Sequence, residues 1–77
     1  MKELLQFVVQ QLVNNPTVVE ISEIRGDTAS ILELRVAKED LGQVIGKHGR
    51  MAKSLRAILN TAGAPMNHKV VLEIIEN

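Results

Sequence analysis

The sequence predicts an α+β fold, a mixed three-stranded sheet with its helices on one face, and three observations carry that reading. Leu4, Leu5, Val8, Val9, Leu12 and Val13 recur at spacings of three and four, the period of an amphipathic helix. Three runs rich in β-branched residues, TVVEISEI, ASILELRVAK and HKVVLEIIEN, have the length and composition of strands. A segment with helical spacing separates the second run from the third. Two strands joined by such a crossover are parallel, and the right-handed rule sends the helices to one side of the sheet.

Each element follows in order. Residues 2–14 form the first helix, stopped by Asn14-Asn15-Pro16. Residues 17–38 form a hairpin, with Gly26 and Asp27 in Arg25-Gly26-Asp27-Thr28 supplying the turn chemistry. In its second strand Leu32, Leu34 and Val36 point to one face and Glu33 and Arg35 to the other, the alternation of a half-buried strand. Residues 39–62 form two helices around a Gly-Lys-His-Gly turn. In the first, Glu39 and Asp40 suit an N-terminal turn, and Leu41, Val44 and Ile45 follow at i, i+3 and i+4. In the second, Met51, Ala52, Leu55, Ile58, Leu59 and Ala62 fall on one side at 100° per residue, with Lys53, Arg56 and Asn60 on the other. Gly63 and Pro65 mark the loop before a last strand over 68–76.

Seventy-seven residues make one domain with a small core, whose stability would gain from association. Cysteine is absent, which excludes disulfides and thiolate metal sites and suits a reducing cytoplasm. No apolar run reaches the roughly 18 residues of a membrane span, and MKELLQFVVQQLV lacks the cleavage site of a secretory signal. The expectation is a cytoplasmic protein with no membrane partner. Net charge is zero, but its distribution is uneven: residues 1–40 carry −3, residues 41–72 carry +5 with no acid, and Glu73 and Glu76 follow. Lys47, Arg50, Lys53 and Arg56 lie within ten residues. Such a run is also what a solvated helix face looks like, so the glycines beside it decide its reading.

Those glycines sit in VIGKHGRMAK, residues 44–53. Gly46 and Gly49 permit a left-handed residue at the end of one helix and a close external approach at the start of the next. The second helix then offers free N–H groups and the positive end of its dipole where Lys47, His48 and Arg50 add charge, a setting for an anion. Lys53 and Arg56 continue the charge along the helix, which fits a chain of phosphates better than one group. A Walker loop is excluded, because Gly42 and Gly46 enclose only three residues and His48 stands where a hydroxyl is required; Val44 breaks a dinucleotide fingerprint.

No catalytic, metal or cofactor site can be assembled. His48 and His68 lack neighbouring Cys, carboxylates or a histidine at i+4, and Ser54 has no base near it in the sequence. The expectation is a protein that is not an enzyme and takes no small-molecule substrate. Phe7, the sole aromatic residue, lies in the first helix, so bases would rest on aliphatic side chains instead of stacking on rings.

The order of elements and the stretch VIGKHGRMAKSLRAIL resemble a type II KH domain. The whole chain, from MKELLQFVVQQLVNNP through LELRVAKEDLGQVIGKHGR to KVVLEIIEN, is similar to the bacterial single-KH-domain family of KhpA (YlqC). That resemblance implies a single-stranded RNA-binding protein, an RNA chaperone or post-transcriptional regulator, that forms homodimers or pairs with a larger KH protein of the KhpB (Jag, EloR) kind. Carried across, Gly46, Lys47, His48 and Gly49 form the loop that grips the backbone of about four nucleotides. Gly42, Ile45 and residues of the second helix and last strand line the groove, and Arg50 and Lys53 add phosphate contacts. His48 departs from the Gln or Glu of the family pattern, which would make the loop's charge depend on pH. A different class of reading remains open: a dimerisation domain whose basic helix meets an acidic protein surface.

Overall fold

A computed structural model describes residues 1–76. Six main elements follow one another: helix α1 (Lys2–Leu12), strands β1 (Glu20–Arg25) and β2 (Ala29–Val36), helices α2 (Leu41–Ile45) and α3 (Arg50–Gly63), and strand β3 (Lys69–Glu76). The sheet order is β1-β2-β3, with β1 and β2 antiparallel, Ile24 opposite Ile31, and β2 and β3 parallel, Ile31 opposite Val71. This is the α+β architecture with a mixed three-stranded sheet that the sequence predicts.

Strand alternation sorts the sheet into two faces. Leu32, Leu34 and Val36 of β2 and Val70 and Leu72 of β3 are buried, and they form one core with Leu5 and Val9 of α1, Val44 of α2 and Leu55 and Leu59 of α3. Each helix therefore contributes one narrow apolar stripe to the same side of the sheet. Ser30 is also buried, and its hydroxyl is hydrogen-bonded to the Nε2 of His68 at 2.6 Å, which satisfies the polar atom inside the core rim.

Several boundaries differ from the expected ones, each for a local reason. Helix α1 ends at Leu12, not 14: Val13 is already extended (φ −96°, ψ 158°), yet it is buried and so keeps the apolar spacing. The hairpin begins at Glu20, not 17, because Pro16–Val18 form a 3₁₀ turn. Lys38–Asp40 and Ala64–Met66 are likewise 3₁₀ turns at the entry to α2 and the exit from α3. Beyond Ala64–Met66, the last strand starts at Lys69.

Asp40 does not cap α2 with its side chain. Its buried carboxylate accepts the backbone N–H of Asn14 at 3.0 Å on Oδ1, and the backbone N–H and side-chain amide of Asn15 at 3.0 and 3.1 Å on Oδ2. The link ties the end of α1 to the start of α2. Burial pushes the carboxyl up, but the hydrogen bonds from Asn14 and Asn15 outweigh it and hold Asp40 below the ordinary aspartate value of 3.8.

Candidate nucleic-acid interface

Helix α2 is only five residues long, and it buries Val44 alone while leaving Gly42 and Ile45 exposed. Ile45 is 38% exposed. Gly42, Ile45 and Gly46 are spaced i, i+3 and i+4, so they share one face that leads into the turn. A Cβ at Gly42 would meet nothing within 4 Å. Space at this position is therefore open to the outside.

The turn itself needs its glycines for two different reasons. Gly46 has φ +80°, and a Cβ there would lie 2.6 Å from the Cβ of Met51 and 2.7 Å from its backbone nitrogen. The first turn of α3 thus packs directly on Gly46. Gly49 has φ +73° with open space around it, so only its backbone conformation is demanding. Between them His48 takes φ 58°, a left-handed conformation that costs a non-glycine residue of order 1 kcal/mol or more. A main-chain bond from Gly49 N–H to the Gly46 carbonyl at 3.1 Å closes the turn.

Helix α3 begins immediately after it with no side-chain cap and no acidic residue in its first turn. Its leading N–H groups and dipole meet no negative side chain of their own, while Lys47, His48, Arg50 and Lys53 are all exposed around them. The eight residues singled out in the sequence, Gly42, Ile45, Gly46, Lys47, His48, Gly49, Arg50 and Lys53, thus occupy one continuous stretch from the outer face of α2 to the first turn of α3.

Asn60, which the sequence alone did not single out, and Arg56 of the basic run also join this region. Among the described residues β3 pairs with β2 on one side only and its other edge takes no strand. The side chain of Asn60 reaches that edge, accepting the Val70 N–H on Oδ1 and donating Nδ2 to the Val70 carbonyl, both at 3.0 Å. Arg56 extends its Nη2 toward the Leu72 carbonyl at 3.4 Å. Four helical residues rise about 6 Å and two strand residues about 6.6 Å, so the steps 60 to 56 and 70 to 72 keep register. The next step sets Ile74 against the Ala52–Lys53 turn, toward the glycine loop. Because the peptide groups of Val70 face away from β2, alternation turns those of Leu72 and Ile74 the same way. One end of the edge is closed by Asn60; the rest runs beside the basic helix.

On α3 the expected apolar side is wider than the buried one. Ala52, Leu55 and Leu59 are buried, whereas Ile58 is 44% exposed and Ala62 is exposed as well. Among the described residues no group of three or more His, Cys, Asp or Glu could hold a metal ion, and no helix is long and apolar enough to cross a membrane.

Helix, two strands, two helices joined by Gly-x-x-Gly and a last parallel strand define a KH domain of type II. The family model described as KhpA/KhpB, KH domain matches residues 2–74, and the chain belongs to that family. Proteins named RNA-binding protein KhpA are similar to it over nearly their whole length. The one from Clostridium acetobutylicum is 48% identical over 75 residues, 97% of this chain and all of its own. That from Clostridium perfringens is 47% identical over the same span, and that from Aquifex aeolicus 42% over 76 residues, 99% of this chain and 96% of its own. These relatives are named for binding RNA, not for a reaction.

Proposed function

We propose that the chain acts as a single KH domain that binds single-stranded RNA without catalysis. The Gly46–Gly49 loop and the uncapped first turn of α3 hold the phosphates, with Lys47, Arg50 and Lys53 as their cationic rim and the His48 imidazole among them. Bases rest on the exposed face of α2 at Gly42 and Ile45 and along the open part of the β3 edge. The observation that carries this reading is the conjunction of a turn with three positive-φ residues, Gly46, His48 and Gly49, and a helix start that has neither a side-chain cap nor an acid.

The footprint is about four nucleotides, too few for tight binding by one copy. A homodimer, or a heterodimer with a KhpB-like KH protein, would raise the effective concentration, and the exposed Ile58 and Ala62 of α3 offer the contact. A role as RNA chaperone or post-transcriptional regulator in the cytoplasm fits weak, repeated binding of this kind.

Salt separates this reading from a plain cationic surface. With Lys47, Arg50 and Lys53 each neutralising about one phosphate, log affinity for a single-stranded oligonucleotide should fall with log salt at a slope of roughly −2 to −3, at about −0.7 per contact. Duplex RNA should bind far more weakly, since paired bases cannot enter the groove. Equal binding of duplex with a steeper slope would contradict the proposal.

A further inference from the structure

Among the described residues no element covers the side of the sheet away from the helices, and its side chains are sorted by row. Register sets Ile24, Ile31 and Val71 side by side across β1, β2 and β3, and Ser22, Glu33 and Glu73 in the row beside them. Ile24 is 58% exposed and Val71 39%, although the core on the other face has its full complement of aliphatic residues. Glu33 and Glu73 stand directly opposite one another, and like charges in that position destabilise a sheet. An aliphatic row beside a row with two facing carboxylates therefore costs the isolated chain something on both counts, with Arg35 and Lys69 outward only in the flanking rows.

We infer that this outer face docks a segment of another protein that presents aliphatic side chains flanked by lysine or arginine. Charge selects the occupant. RNA is disfavoured, because the central rows offer carboxylates and no aromatic ring, while the cations of residues 47–56 lie on the α3 side of the molecule. A rigid second copy is disfavoured by size: one strand of six residues and two of eight, about 4.8 Å apart, present on the order of 350 Å², less than half of what each partner buries in a standard stable interface. A short basic-apolar segment satisfies both rows, its aliphatic groups on Ile24, Ile31 and Val71 and its cations on Glu33 and Glu73. Since the glycine loop and the β3 edge lie elsewhere, RNA and the segment occupy the chain together.

The test uses the full chain, isotopically labelled, and a synthetic 14-residue peptide of leucine and lysine at amphipathic helical spacing, with a leucine–glutamate peptide as its counterpart. The lysine peptide should shift the amide resonances of β1, β2 and β3 at the outward positions, the glutamate peptide should not, and a bound single-stranded RNA should leave the shifts in place. E33K/E73K should weaken the lysine peptide about tenfold or more, and Ile24→Ser with Val71→Ser should weaken it similarly. Shifts confined to α2 and α3, equal binding of both peptides, or indifference to both double variants would overturn the inference. So would a concentration-dependent mass that Ile24→Ser with Val71→Ser abolishes, which would show a second copy on this face.

Discussion

Asn60 and Val70 exchange a complete pair of hydrogen bonds: the side-chain amide of one matches the backbone N–H and C=O of the other, each at 3.0 Å. Asn60 also donates Nδ2 to the Arg56 carbonyl at 3.0 Å, so one side chain locks the last turns of α3 to the start of β3. The spacing between α3 and the free edge is set there.

Asn60→Ala removes three hydrogen bonds and leaves the Val70 groups partly buried, and it should cost about 1–3 kcal/mol in urea unfolding. Asn60→Asp should be nearly as damaging, because Oδ1 still accepts from Val70 but no donor remains for the Val70 and Arg56 carbonyls. RNA affinity of the folded Asn60→Ala chain should drop severalfold although Asn60 uses its amide on the protein. Unaltered stability and affinity would mean that the clamp sets nothing.

The three glycines near the site should respond in different ways. Gly46→Ala drives a Cβ into the backbone of Met51 at a positive φ and should destabilise the chain by roughly 2–4 kcal/mol. Gly49→Ala meets only the backbone penalty, about 1–2 kcal/mol. Gly42→Ala has open space and a helical backbone, so it should stabilise by up to about 1 kcal/mol. Yet Gly42→Ala should weaken RNA binding, since its methyl stands on the exposed face of α2. Thermal unfolding and oligonucleotide titration of the three variants check both halves.

Asp40 supplies a pH dependence whose sign is fixed. Its folded-state value is depressed, so its contribution is present above the unfolded value near 3.8 and is lost as pH falls through the lower folded value. Stability should therefore decline below about pH 4 in part through Asp40. Asp40→Asn should lower the melting temperature at pH 7 and flatten that acid limb, because an amide NH₂ would face the N–H donors of Asn14 and Asn15. An unchanged acid limb in Asp40→Asn would assign the decline to other carboxylates.

The fold was legible because its elements are locally consistent: β2 alternates without a break from Ser30 to Val36, and the strand pattern of β3 begins at Lys69. The outline of the candidate site is legible as a contiguous stretch, residues 42–53. What stayed hidden depends on contacts between distant residues. Asp40 finds its partners 25 and 26 positions away, and Asn60 finds Val70 across a turn. Periodicity also overstates burial at the edges of a stripe. Ile45 and Ile58 have the right spacing, but α2 is too short and the sheet too narrow to cover them.

The central claim, that the glycine loop is the RNA contact, is tested most directly by Lys47→Asp with His48→Asp. Both side chains are exposed, so the double variant should fold with a circular dichroism spectrum and urea midpoint close to those of the parent chain. Titrated with a fluorescent single-stranded oligonucleotide, it should lose binding by about 100-fold or more, since two carboxylates would replace the Lys47 ammonium and the His48 imidazole beside the phosphate. A folded double variant that binds the oligonucleotide as the parent does would contradict the account, and the turn would then serve only to join two helices.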